Sequence, residues 1–182
     1  MSADGTVRVW DALVRILHLG FITGVAAAWF TRHASGPWHE WIGYAVMAAL
    51  ALRLLWGFAG PPSAQFRRFV LGPAATLRYA HRLAGGHAPR YLGHNPLGAW
   101  MILTLLLLLA IITFSGWLST TDRYWGIAWV MNLHLWSTWA LLGLVPLHVA
   151  GAIHASIRHR ENLIAAMIHG RKPGAAADDI AP

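Results

Sequence analysis

Four long stretches of the chain are almost entirely apolar. They cover approximately residues 13–31, 38–58, 97–118 and 130–155. Each has about 20 residues, which is enough for an α-helix to cross a hydrocarbon core about 30 Å thick. Charged residues make up 12% of the chain, against about a quarter in a typical soluble domain. The pattern predicts an all-α membrane protein in which four spanning helices form a bundle.

Basic residues lie mainly on one side of these predicted spans. Of the 14 Lys and Arg, only Arg32 and Arg123 fall on the side of the two short loops. The rest lie in the N-terminal segment, in the long connection between spans 2 and 3, in the C-terminal tail, or in the parts of the spans that adjoin them. Basic loops are retained in the cytoplasm. We therefore expect cytoplasmic termini and a cytoplasmic long connection in a multi-pass membrane protein. The same distribution accounts for the net charge of +7 without a nucleic-acid partner.

A single domain is expected for a chain of 182 residues. We assign residues 1–172 to the membrane domain, and we expect the Ala- and Asp-rich residues 173–182 to be a disordered tail. Within the long connection, residues 74–83 are typical of an amphipathic helix lying at the membrane interface. The first apolar stretch is too long for a cleaved signal peptide, so we expect it to be retained.

Histidine is the residue type that indicates chemistry. Cysteine is absent, which excludes disulfides, iron–sulfur clusters and covalently attached c-type haem. An ionisable side chain inside a membrane span is by default a functional hypothesis. Four of the 11 histidines meet this description, namely His18, His39, His134 and His148.

The spacing of these four histidines predicts two metal centres at different depths. His134 and His148 are 14 residues apart, which places them within about 40° on one helix face and about 21 Å apart along the axis. That separation is too large for one metal ion or one porphyrin but suits two stacked haems. The alternating direction of the spans pairs His39 with His134 near the outer side and His18 with His148 near the inner side. Two imidazole ligands leave iron no open position, which favours electron transfer over oxygen activation. A single such histidine would be a hydrogen-bonded core residue, but four at two matched depths favour haem ligation.

Two arginines are candidates for binding haem propionates. Arg53 follows His39 by 14 residues and is therefore expected on the same face at the inner level, and Arg15 lies about one turn before His18. Each guanidinium can form charge-assisted hydrogen bonds with a carboxylate, or can reach the cytoplasmic interface instead. Glycines near the histidines have two alternative explanations of equal weight, room for a porphyrin beside the helix or close packing between helices. These glycines are Gly20, Gly24, Gly43, Gly143 and Gly151.

Several short motifs along the chain belong together: Val7–Asp11 leading to His18, His39–Tyr44, Arg53–Phe58, Tyr91–Gly98, His134 and His148, and Arg160–Leu163. They resemble the bacterial cytochrome b561 family of di-haem membrane proteins, which includes the b-type cytochrome subunit of nickel–iron hydrogenases. The resemblance covers about residues 7–172 and implies two non-covalent haem b groups. It implies that their ligands are the four histidines that spacing and depth select. Leu135 follows His134 where many members of the family have Glu.

The leading hypothesis is an electron-transfer protein rather than a self-contained enzyme. Electrons would pass between ubiquinone or another membrane quinone and a partner such as a periplasmic c-type cytochrome. Two alternatives stay open: a superoxide:quinone oxidoreductase of the same fold, and a cytochrome b subunit of a hydrogenase-like complex. Superoxide is an anion, and a basic outer surface would attract it. In the outer loops Glu40 and Asp122 balance the charges of Arg32 and Arg123, which argues against the superoxide alternative. The oligomeric state and the direction of electron flow stay open.

Overall fold

The computed structural model describes residues 5–174 and 179–180, and its helices dominate the chain. In chain order, the elements are β1 (Thr6–Arg8), α1 (Ala12–Thr31), α2 (Trp38–Ala59), a 3₁₀ turn (Pro62–Ala64), α3 (Phe66–Phe69), α4 (Pro73–Ala84), α5 (Pro96–Ser119), α6 (Ala128–His159), α7 (Leu163–His169) and β2 (Arg171–Pro173).

The four predicted spans are confirmed as long apolar helices. α1, α2, α5 and α6 are each long and apolar enough to cross a membrane. α6 has 32 residues and continues past the predicted end of the fourth span, through Pro146, to His159. The all-helical class is therefore correct for the described residues, with two three-residue strands as the exception.

Asp11 determines where the first spanning helix begins. Its Oδ1 accepts hydrogen bonds from the backbone N–H groups of Leu13 at 3.0 Å and Val14 at 3.2 Å. These donors would otherwise have no partner in the first turn of α1. The same oxygen also accepts from Trp56 Nε1 at 3.0 Å. One carboxylate thus caps α1 and ties its start to the last turns of α2.

The connection between α2 and α5 contains three short helical segments. The ring of Phe66, at the start of α3, occupies the space that a side chain at Gly57 would need. Trp100 Nε1, in the second turn of α5, donates to the Leu71 carbonyl at 3.1 Å. This bond holds the residues that lead into α4 beside the beginning of a candidate span. The helix predicted at residues 74–83 is present as α4.

The chain divides into two compact units. Unit 2 comprises Ile16–Leu54 and Thr104–Pro146, and unit 1 comprises the other described residues. In unit 1, β1 pairs antiparallel with β2, with Val7 opposite Lys172. Beside this pair, Val9, Trp10 and Ala166 form a buried cluster.

The described part of the C-terminal tail makes backbone contacts within unit 1. The Ile180 N–H donates to the Arg90 carbonyl at 3.0 Å, and the Leu92 N–H donates to the Ile180 carbonyl at 3.1 Å. Pro173 belongs to β2. Residues 175–178, 181 and 182 lie outside the described residues, and disorder of the tail stays a prediction there.

A buried ion-pair network joins the long connection to the C-terminal segment. Glu161 lies 2.9 Å from Arg90 and 3.2 Å from Lys172, and Arg90 also pairs with Asp179 at 2.5 Å. Burial lowers the pKa of Lys172 even though Glu161 opposes the shift. Burial also acts to lower the pKa of Arg90, but the hydrogen bond and charge of Glu161, together with Asp179, raise it overall.

Candidate functional site

Two of the four predicted ligand histidines face one another in unit 2. His39 lies in the first turn of α2, and His134 lies in the second turn of α6. Their ring centroids are 6.2 Å apart and their planes are inclined by 71°. The two residues are 95 positions apart in the chain, and the helices bring them together, as the depth argument predicts.

Each imidazole is held through Nδ1 by a backbone carbonyl of a neighbouring helix. His39 Nδ1 lies 2.9 Å from the Ala28 carbonyl of α1, and His134 Nδ1 lies 2.9 Å from the Ile112 carbonyl of α5. A carbonyl oxygen only accepts, so Nδ1 carries the proton in both rings. The lone pair that can bind a metal is then on Nε2. All four long helices contribute to this site.

The spacing of the two rings would allow both imidazoles to bind one metal ion. An imidazole nitrogen sits about 2 Å from a bound metal ion, and the ring centroid lies about 1.1 Å farther back. Two imidazoles that bind one ion from opposite sides therefore have centroids about 6 Å apart. The observed separation is 6.2 Å. Within the described residues there is no cluster of three or more His, Cys, Asp or Glu side chains that could hold a metal ion.

The nearby glycines have different structural roles. A Cβ on Gly24 would collide with Val46, so Gly24 permits close packing of α1 on α2. A Cβ on Gly116 would lie 3.2 Å from His134 Cε1, so Gly116 leaves room for that imidazole. A Cβ on Gly20 or Gly43 would meet nothing within 4 Å. Gly43 is one turn from His39, and open space there suits a flat cofactor beside the ring.

A hydrogen-bonded polar group of unit 2 was not identified from the sequence. The Tyr44 hydroxyl donates to Glu40 Oε1 at 2.7 Å and lies 3.1 Å from Thr120 Oγ1. Glu40 and Tyr44 are four residues apart in α2, and this spacing was a usable signal because such residues are neighbours on a helix. Ser115 Oγ, 3.4 Å from His134 Nδ1, carried no such signal. The two carbonyls that hold the imidazoles carried no sequence signal either, since every residue has a carbonyl.

The other predicted site residues are described within their own units. His18 is half-buried on α1 in unit 2, and Arg53 is buried on α2 in the same unit with 5% of its surface exposed. His148 is half-buried on α6 in unit 1. Arg15 belongs to unit 1, where its guanidinium donates to the Ile168 carbonyl and lies against Gly170. Pairing of His18 with His148 and propionate binding by the arginines stay predictions.

Four helices that are long and apolar enough to cross a membrane define the class of the protein, a helical membrane protein in which two imidazoles lie close together in unit 2. Residues 9–170 match the family model described as Prokaryotic cytochrome b561, and the chain belongs to this family. The suspected resemblance is therefore confirmed. Membership of this family makes the chain a bacterial multi-pass membrane b-type cytochrome, which binds haem b and transfers electrons. No curated protein and no solved structure matches the chain.

Proposed function

We propose that the chain carries electrons across the bacterial inner membrane through two haem b groups, one held by His39 and His134 and the other by His18 and His148. The observation that carries the proposal is the His39–His134 pair, with its 6.2 Å centroid separation and its two Nδ1–carbonyl bonds. Haem b supplies a reversible one-electron couple at its iron.

The protein's contribution at the first pair is to orient the imidazoles and to adjust their strength as ligands. A hydrogen bond from Nδ1 to a carbonyl keeps the ring in one orientation and makes Nε2 a stronger donor. Stronger donation favours the more positive state of a bound metal. The carbonyls of Ala28 and Ile112 therefore act to lower the reduction potential of this centre.

The second pair is supported by sequence spacing and by burial. His148 follows His134 by 14 residues on the continuous helix α6, which returns it to nearly the same face. Arg53 is buried, and a buried guanidinium beside a haem would bind its propionates. Arg15 has donors beyond the one used by the Ile168 carbonyl, because guanidinium has five N–H groups.

The orientation of the chain follows from the distribution of its basic residues. With the termini and the long connection in the cytoplasm, the His39–His134 pair lies near the periplasmic side and the His18–His148 pair near the cytoplasmic side. The periplasmic loops are short, so a soluble redox protein such as a c-type cytochrome can approach the outer centre. Ubiquinone or another membrane quinone would be the second exchange partner.

The proposal is tested by haem counting combined with histidine replacement. A pyridine haemochrome assay on the purified protein should give two haems per chain. His39→Ala and His134→Ala should remove the same spectral component, while His18→Ala and His148→Ala should remove the other. His81→Ala changes an exposed histidine of α4 and should retain both. One haem per chain, or different components lost from His39→Ala and His134→Ala, would refute the assignment.

Orientation is tested separately in sealed vesicles. A membrane-impermeant reductant on the periplasmic face should reduce the outer haem directly. If only the same reductant on the cytoplasmic face reduced it, the proposed topology would be wrong while the haem assignment could stand.

A further inference from the structure

A small basic cavity lies in unit 1, on the long connection between α2 and α5. Its volume is about 190 Å³. It is lined by Ala75, Arg78, Tyr79, Arg82, Pro89 and Tyr91. Sites for drug-sized ligands are typically about 300–1,000 Å³. The cavity is therefore suited to a small polar group with a negative charge.

The two arginines of the cavity are available for a ligand. Arg78 and Arg82 are one helical turn apart on α4, both are exposed, and neither forms an ion pair within the part of the chain that the structure describes. The described residues of unit 1 include eleven Lys and Arg but three carboxylates. Those carboxylates are already engaged, because Asp11 caps α1 while Glu161 and Asp179 pair with Arg90 and Lys172.

Tyr79 adds a neutral hydrogen-bond donor to the two charges. Its side chain is buried, and its ring packs edge-on against Tyr91 with centroids 5.6 Å apart. Burial, and secondarily Tyr91, raise the pKa of Tyr79, while the charge of Arg158 opposes the shift. The hydroxyl therefore stays protonated at neutral pH. Two guanidinium groups beside a protonated phenol are typical partners of phosphate oxygens.

The position of α4 indicates where such a phosphate would come from. Trp100 holds Leu71 by a hydrogen bond of 3.1 Å, so α4 begins beside the second turn of the candidate span α5. Tryptophan is enriched at the level of the lipid headgroups. Leu77 on α4 is 62% exposed, next to Arg78 in the chain. A helix with exposed leucine and arginine side chains at this level is expected to lie in the headgroup region.

We propose that this cavity binds the phosphate of an anionic phospholipid, with Arg78 and Arg82 as charge-assisted donors and Tyr79 as a neutral donor. The site is a structural lipid site on the connection, and it does not depend on the haem assignment. Bound lipid would hold α4 to the membrane surface beside α5.

The test is native mass spectrometry of the full-length, haem-containing protein in detergent, with added phosphatidylglycerol or phosphatidylcholine of equal chain length. The wild type should retain at least fivefold more phosphatidylglycerol than phosphatidylcholine. Arg78→Gln/Arg82→Gln should abolish that preference, and Tyr79→Phe should reduce it. Arg67→Gln/Arg68→Gln is the matched control, because it removes the same charge from exposed positions on the neighbouring α3 and should keep the preference.

Three outcomes would overturn the proposal. The two double variants could lose the preference equally, which would mean diffuse attraction by charge. Both double variants could keep the preference for phosphatidylglycerol, which would place bound lipid elsewhere. The wild type could retain inorganic phosphate but no phosphatidylglycerol when both are added, which would identify free phosphate as the ligand. Optical spectra of the haems recorded on the same samples verify that each variant is folded.

Discussion

Gly116→Ala is the mildest change that should disturb the proposed outer haem without removing a ligand. Gly116 lies on α5, and its missing side chain leaves room for the imidazole of His134. An added Cβ would lie 3.2 Å from His134 Cε1 and 3.3 Å from Nδ1. Ordinary contacts of this kind begin near 3.4 Å, so the ring has to move by a few tenths of an ångström.

The size of the effect follows from what that movement disturbs. His134 Nδ1 is held by the Ile112 carbonyl at 2.9 Å. Such a hydrogen bond contributes about 0.5–1.5 kcal/mol, and moving a side chain off its rotamer costs a similar amount. Since about 1.4 kcal/mol is a factor of ten, we expect haem to be held about three- to tenfold less tightly at this site.

The assay is the loss of haem to excess apomyoglobin, followed optically. Gly116→Ala should lose one of its two haems about three- to tenfold faster than the wild type, with the other unchanged. Gly72→Ala is the matched control, because a Cβ there meets nothing within 4 Å and the residue belongs to the long connection. Equal loss from Gly116→Ala and Gly72→Ala would refute the role of His134, as would acceleration of both haems together.

Three further predictions concern stability. Asp11→Ala removes the cap of α1 and should lower the free energy of unfolding by about 1–2 kcal/mol, while Trp56→Phe should lower it by about 0.5–1.5 kcal/mol. Thermal unfolding measures both losses, and a larger loss from Trp56→Phe would contradict the capping role of Asp11. Glu161→Ala leaves Lys172 buried without the carboxylate that pairs with it, and should lower the free energy of unfolding by about 3–5 kcal/mol. Lys172→Met should lower it by less. Denaturant unfolding measures both, and a larger loss from Lys172→Met would be inconsistent with the network. Because burial raises the pKa of Tyr79 above its ordinary value of about 10, the unfolded chain ionises first and stability falls as pH rises past that value. Tyr79→Phe should show a shallower fall in melting temperature between about pH 9 and 11, and identical slopes would contradict this explanation.

The spanning helices could be predicted closely because their signal is local. A run of apolar residues long enough to cross a bilayer needs no information about its neighbours. The predicted spans begin within two residues of α1, α2, α5 and α6. The fourth helix was underestimated at its C-terminal end, since Ser156, Arg158 and His159 are polar or basic but still helical. Hydropathy marks what enters the membrane, not where a helix ends.

The site could be predicted in part. Spacing on α6 and the alternating direction of the spans selected His39 and His134 as partners, and the structure brings them together. Spacing could not show that Gly24 serves packing whereas Gly43 borders open space, because that depends on which residue lies opposite. It also could not show that Arg15 binds the Ile168 carbonyl, a contact between residues 153 positions apart.

By itself, the sequence determined the class of the protein, the number of spans and the histidines that we propose as haem ligands, because these depend on residue type and on helical periodicity. Only the tertiary structure decided how the imidazoles of His39 and His134 are held. Their partners are the carbonyls of Ala28 and Ile112. Every residue carries a carbonyl, so no residue pattern can mark the ones that matter. Their selection requires the packing of α1 on α2 and of α5 on α6.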